Sequence, residues 1–175
     1  MVLLVDAITA LQEFLDTGGQ VLLVIGAVTF AMWLLILERF MYFFGKYRSY
    51  KKQIVAGWQG RSERNSWNAE QIRQSMISKA GIELNNNLPF INVMVALCPL
   101  LGLLGTVTGM IEVFNVMAIT GSGSARSMAA GVSKATIPTM AGMVAALSGV
   151  FASTYLQRKA KREVELLEDK LLLDH

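Results

Sequence analysis

The sequence has few of the residues that build catalytic and metal sites. Its 175 residues include one cysteine, Cys98, and one histidine, His175. A single cysteine excludes a disulfide within the chain, and its position in an apolar run predicts a buried, unreactive thiol. No histidines and cysteines have metal-ligand spacing, no glycine-rich phosphate loop follows a strand, and no nucleophile has a histidine base. We therefore expect no metal, no cofactor and no enzymatic activity.

Charge is also scarce. Only 17% of the residues are charged, whereas 53% are hydrophobic. The uncharged residues form three runs, each long enough for a transmembrane helix, which needs about 20 apolar residues. We predict an all-α membrane protein with transmembrane helices at residues 19–44, 90–119 and 128–157. The net charge of +3 is unevenly distributed, and this indicates membrane topology rather than affinity for nucleic acid.

The basic residues predict which segments share one side of the membrane. Residues 45–89, a helical region with Ser66 as its expected N-cap, contain eight lysines and arginines against three glutamates. The tail at 158–175 also begins with basic residues, whereas residues 1–18 contain none. The positive-inside rule therefore places 45–89 and the C-terminus in the cytoplasm, and the N-terminus and the linker at 120–127 outside. Helical spacing of apolar residues in 1–18 fits either an amphipathic helix on the membrane surface or a helix packed on its neighbours.

The first predicted span ends in two adjacent charges, Glu38 and Arg39, followed by aromatic residues. Aromatic rings next to the first charges are typical of a bilayer edge. We interpret Glu38 and Arg39 as an interfacial pair that extends toward water and sets the helix end. A functional role for the pair remains open.

The second and third spans form an antiparallel hairpin around a short flexible linker. Residues equally distant from the linker centre then lie at the same depth, which places Thr106 and Thr139 at one level. At 1.5 Å per residue this level is roughly 18 Å from the linker, close to mid-bilayer. We predict that the two threonines line a pore or a partner-binding channel. The alternative is plain packing, with each hydroxyl bonded to its own helix backbone.

Small residues and two charges complete the pattern in the hairpin. Glycines that recur on one face predict close helix contact; they are Gly102, Gly105 and Gly109 on the second span, and Gly142 and Gly149 on the third. Glu112 and Lys134 also share a level, nearer the outer face. They are candidates for a proton relay or for an ion pair between the helices. The span interior contains no carboxylate or histidine at mid-membrane, so proton conduction would require a carboxylate from another chain.

These segments resemble the MotA/TolQ/ExbB proton channel family. The block Leu100 to Gly109, LLGLLGTVTG, is similar to the family signature in the second span. The stretch Gly131 to Gly142, GVSKATIPTMAG, resembles the signature of the third, and Leu37-Glu38-Arg39 resembles the end of the first.

The resemblance implies a fold, a set of partners and a function. It implies a bacterial inner-membrane homopentamer with a periplasmic N-terminus, whose second and third helices extend into the cytoplasm and line a pore. It further implies an ExbD-like single-span dimer in that pore and a TonB-like protein that uses the proton-motive force for outer-membrane uptake of nutrients such as iron-siderophores, haem or cobalamin. Thr106 and Thr139 match the pore threonines of the family. Alternatives are a TolQ-like role in envelope maintenance and a non-conducting scaffold for a single-span partner.

The chain departs from the family pattern at two positions of the third span. Lys134 stands where many relatives have a glutamate, and Pro138 stands where a small residue is usual. The resemblance therefore implies no acidic relay on this helix. Our hypothesis is that Lys134 pairs with Glu112 or with an acid of a partner subunit.

Overall fold

A computed structural model describes residues 2–61, 63, 66–121 and 125–171. These residues form helices and no strand, in the order α1 (Val2–Phe44), α2 (Lys46–Gln59), α3 (Trp67–Asn85), α4 (Leu88–Thr120) and α5 (Ala125–Lys170). Three stretches are long and apolar enough to cross a membrane, namely Gly19–Phe44, Trp67–Ile119 and Met128–Lys170. The predicted all-α class with three membrane helices is thereby confirmed.

Local sequence signals explain where the helices bend and begin. Gly19 has φ 65° and ψ −162° inside α1, a left-handed conformation that glycine adopts without a steric penalty. Asn87, at φ 62°, separates α3 from α4. Ser66 caps α3, as predicted, because its side chain accepts a hydrogen bond from the backbone N–H of Asn68.

Helix α5 is longer than a bilayer is thick. Its 46 residues extend about 69 Å at 1.5 Å per residue, more than twice the roughly 30 Å of a hydrocarbon core. Helix α4, with 33 residues, extends about 50 Å. Both helices therefore continue beyond the apolar layer.

Two compact units are distinguished by their contacts. The first contains the chain up to Trp33 together with Val93–Val150, and the second contains Leu34–Asn92 together with the chain from Phe151 onward. In the first unit, Cys98 is buried and packs with Ala145, Ala146 and Val28. This confirms the predicted burial of the thiol.

The second unit has its own apolar core. Trp58 of α2, Ala69 and Ala80 of α3, and Leu167 and Leu171 at the end of α5 are buried together. Burial of their side chains is the main stabilising term for the polar end of these helices.

Several predictions concern residues outside the described part of the chain. The side chains that decide whether residues 1–18 are amphipathic fall there almost entirely, as do the linker residues 122–124 and His175.

Candidate functional site

Helices α4 and α5 touch backbone to backbone in the first unit. A Cβ atom on Gly102 would lie 2.9 Å from the Cα atom of Thr139 and 3.0 Å from the carbonyl oxygen of Pro138. A Cβ atom on Gly109 would lie 2.7 Å from the Cβ atom of Ala135. Only glycine permits such an approach at these two positions. Close contact of this kind is the usual basis of helix association in membranes.

The remaining predicted packing glycines also lie at helix contacts. A Cβ atom on Gly142 would meet the carbonyl oxygen of Cys98, and one on Gly149 would lie 2.6 Å from the sulfur of Met32. Gly105 faces the ring of Pro138. The proline that departs from the family pattern is therefore a packing partner of α4, a role that the sequence alone did not indicate.

The close approach brings the two threonine hydroxyls together. The Oγ1 atoms of Thr106 and Thr139 are in hydrogen-bond contact. Thr139 Oγ1 also donates to the carbonyl oxygen of Gly102 across the helix interface, at 2.8 Å. Both side chains are half-buried.

The number of protons gives this network a direction. Each hydroxyl has one proton to donate. Since Thr139 uses its proton on Gly102, Thr106 donates to Thr139. The Gly102 carbonyl has two lone pairs, so it accepts this bond and the backbone bond of its own helix together. The result is a short chain of hydrogen bonds that runs from α4 to α5 and back to α4.

Neighbouring threonines are bonded differently. Thr108 donates to the carbonyl oxygen of Leu104 at 3.0 Å, and Thr136 donates to that of Ser133 at 2.8 Å. Both side chains are exposed and satisfy their hydroxyls within their own helix. The bond between helices is therefore specific to Thr106 and Thr139 in this pair of helices.

Glu112 and Lys134 do not form an ion pair within the described part of the chain, and both side chains are exposed. The hypothesis that they pair with each other is thus wrong for the single chain. Their depth is similar, but their direction differs. Adjacent residues on a helix point about 100° apart, so Lys134 points away from the contact that Ala135 makes with Gly109.

Glu38 and Arg39 belong to a network in the second unit. The Arg39 side chain is only 5% exposed and lies 3.4 Å from a carboxylate oxygen of Glu38. Its Nη1 donates to the backbone carbonyl of Glu83 at 3.3 Å, and its guanidinium lies 5.2 Å from the ring centroid of Tyr42. Glu38 also accepts from the side chain of Asn87 at 3.1 Å.

This environment differs from the predicted interfacial pair. Arg39 is buried, so it does not extend toward water, because Glu38, the Glu83 carbonyl and the Tyr42 ring replace part of its hydration. Its Nε atom has no hydrogen-bond partner among the described residues. The sequence gave no sign of this burial, since the Glu83 carbonyl belongs to a helix far along the chain.

Metal binding has no support in the described residues, among which no group of three or more histidines, cysteines, aspartates or glutamates converges. The chemistry available at the threonine pair is hydrogen bonding to a polar group inside an apolar layer. Such a group is costly to bury unless it finds a partner.

Comparisons with known proteins agree with this arrangement. The model of the MotA/TolQ/ExbB proton channel family matches residues 46–169. The chain is 50% identical over 60 residues, 33% of its length, to a putative biopolymer transport protein ExbB-like 1 of Synechocystis. It is 38% identical over 90 residues, 51% of its length, to the biopolymer transport protein exbB1 of Vibrio cholerae. It is 32% identical over 84 residues, 48% of its length, to the biopolymer transport protein ExbB of Helicobacter pylori. The matches span 24%, 40% and 58% of these three relatives, respectively.

Proposed function

The chain belongs to the MotA/TolQ/ExbB proton channel family, and we propose that it is the channel-forming subunit of an ExbB–ExbD–TonB-type energy-transducing complex. In this proposal the complex lies in the bacterial inner membrane and couples the proton-motive force to TonB-dependent uptake across the outer membrane. The names of the relatives, which are biopolymer transport proteins, support this assignment.

The observation that carries the proposal is the hydroxyl pair of Thr106 and Thr139. Two hydroxyls bonded across a glycine-lined helix contact supply polar atoms inside an otherwise apolar layer. A proton path needs such atoms, because a charge or an acid in hydrocarbon is stabilised only by partners of this kind.

The hydroxyl pair is not sufficient for conduction. Neither hydroxyl titrates near neutral pH, so protons must be carried by another group. We propose that an ExbD-like single-span partner supplies a carboxylate at the level of Thr106 and Thr139. Five copies of the chain would surround a dimer of this partner, with α4 and α5 lining the pore. Lys134, which is exposed and unpaired in the single chain, remains available for an acid of the partner.

The proposed orientation places the N-terminus in the periplasm and the C-terminus in the cytoplasm. The excess of lysine and arginine in residues 45–89 supports this direction. Each proton that enters would then release about 2.3 kcal/mol per 100 mV of membrane potential, so substantial mechanical work requires several protons.

The test is proton flux through the chain co-reconstituted with its single-span partner in vesicles. Thr106→Val and Thr139→Val keep the shape of the side chain and remove the hydroxyl. A hydrogen bond to a charged or reacting group contributes about 1.5–3 kcal/mol. We therefore expect each change to reduce flux roughly 10–100-fold.

Matched controls are Thr108→Val and Thr136→Val, because these hydroxyls bond only to their own helices. They should leave flux close to that of the unchanged protein. Intact flux in both Thr106→Val and Thr139→Val would refute the pore assignment. Assembly with the partner but no flux in the unchanged complex would instead identify a scaffold.

A further inference from the structure

A basic groove lies in the second unit, beyond the end of the first membrane span. Its volume is about 600 Å³, and it is lined by the end of α1, by α2 and by the part of α5 near Lys159. Phe43, Phe44 and Tyr47 form an aromatic end. The other lining residues are mostly polar and extend along α2 and α5.

The charge of the groove is strongly unbalanced. Its lining includes five cations and one carboxylate, Glu163. Lys51 takes up this carboxylate in an ion pair with an Nζ–Oε2 distance of 2.7 Å. The remaining cations have no ion-pair partner among the described residues; they are Arg48, Lys52, Lys159 and Lys170.

Lys159 is fixed at the aromatic end. Its Nζ atom lies 3.7 Å from the ring centroid of Phe44 and 5.7 Å from that of Phe43. Phe40 and Tyr155 place their rings 5.8 Å and 5.9 Å away. Attraction between the ammonium and these π-faces holds one positive charge at the level of Phe44.

The position of the groove identifies the kind of anion that it meets. Phe44 is the last residue of the span Gly19–Phe44, so it marks the edge of the apolar layer. Arg48 follows about 6 Å further along, within the roughly 5–7 Å of headgroup on each side of a bilayer. The anions present at this level in a membrane are lipid phosphates.

We propose that this groove binds the headgroup of an anionic phospholipid. The phosphate is bound by Arg48 and Lys52, with Lys159 at the inner end, and the glycerol and first acyl carbons lie against Phe43 and Phe44. Tyr47 stays a neutral hydroxyl in the wall, where it donates to the carbonyl of Glu163 at 3.4 Å. The proposal does not depend on proton conduction.

The experiment measures lipid binding to the purified full-length chain in an uncharged detergent by native mass spectrometry. Phosphatidylglycerol and phosphatidylcholine with identical acyl chains are titrated separately. One basic residue near a membrane surface contributes about fivefold to the attraction of anionic lipid. The double variant Arg48→Gln, Lys52→Gln should therefore bind phosphatidylglycerol about 25-fold more weakly.

The matched control is Lys161→Gln, Arg162→Gln. These two cations are exposed on α5 near the same level but do not line the groove. The control should bind phosphatidylglycerol within about twofold of the unchanged chain, since it removes the same charge elsewhere. An equal loss in both double variants would overturn the proposal, because it would indicate general attraction by surface charge. So would equal binding of the two lipids by the unchanged chain.

Two further arms keep the result decisive. Inorganic phosphate that displaces phosphatidylglycerol at comparable concentrations would show a site for free anions and overturn the assignment to lipid. If the glutamine variant does not fold, Arg48→Lys, Lys52→Arg retains the charge and should bind like the unchanged chain. Raising the ionic strength should also weaken phosphatidylglycerol binding and leave phosphatidylcholine binding unchanged; a salt-independent affinity would contradict the proposal.

Discussion

The contact between α4 and α5 predicts a clear effect of one added methyl group. In Gly142→Ala the new Cβ atom would meet the carbonyl oxygen of Cys98 and lie 3.2 Å from the Cα atom of Gly102. Both are backbone atoms, so no side-chain rotation can relieve the contact. The two helices must therefore move apart at this point.

The magnitude follows from three effects. Overpacking in a close contact costs about 1–3 kcal/mol. Separation of the helices also weakens the 2.8 Å bond from Thr139 to the Gly102 carbonyl, which contributes about 0.5–1.5 kcal/mol. Alanine in place of glycine regains about 1 kcal/mol of helix propensity. We expect a net loss of about 0.5–3 kcal/mol in the free energy of unfolding.

The matched control is Gly26→Ala on α1, because a Cβ atom there has no neighbour within 4 Å. It gains propensity without a clash, so it should be neutral or stabilising by up to about 1 kcal/mol. The assay is reversible unfolding of the purified chain in mixed micelles with increasing denaturing detergent. If Gly142→Ala is as stable as Gly26→Ala, the backbone contact is not what holds these helices.

Two other predictions concern the second unit. Arg73 donates from Nε to the carbonyl of Leu171 at 2.5 Å, so Arg73→Met should leave carbonyls at the end of α5 unpaired and speed amide hydrogen exchange there about tenfold, whereas Lys79→Met on the exposed face of α3 should not. Burial, with Glu163 as the next cause, raises the pKa of Tyr47, so the folded chain keeps this proton at a pH where the unfolded chain, with a tyrosine pKa of about 10, loses it. Stability should therefore fall as the pH rises above about 10, and less steeply in Tyr47→Phe, as measured by denaturant unfolding; equal slopes would contradict the raised pKa.

The membrane helices and the level of the threonines could be predicted from sequence because both depend on quantities that add along the chain. Hydropathy sums over a span, and rise per residue is the same in α4 and α5. Counting from the linker therefore placed Thr106 and Thr139 at one depth, and their hydroxyls are in contact in the structure.

Direction around a helix axis is harder to obtain, because it depends on which face packs. Lys134 has the predicted depth relative to Glu112 but points away from the contact made by Ala135. Arg39 was expected at the interface and is buried, since its partner is the carbonyl of Glu83. A backbone carbonyl has no sequence signature, so a buried cation that depends on one cannot be recognised in advance.

The direction of the threonine hydrogen bonds restricts the partner that the proposed channel can accept. Both hydroxyl protons are already committed, that of Thr106 to Thr139 and that of Thr139 to the Gly102 carbonyl, but Thr106 keeps unused lone pairs. A protonated carboxylic acid from a partner helix can donate to them without disturbing the network. An ionised carboxylate has nothing to donate and must break one of the existing bonds to obtain a donor, at a cost of about 0.5–1.5 kcal/mol. Desolvation acts in the same direction, since it disfavours the charged form of a carboxyl group. The pair therefore favours the proton-loaded state of the partner, and release of the proton requires the acid to move away from this level.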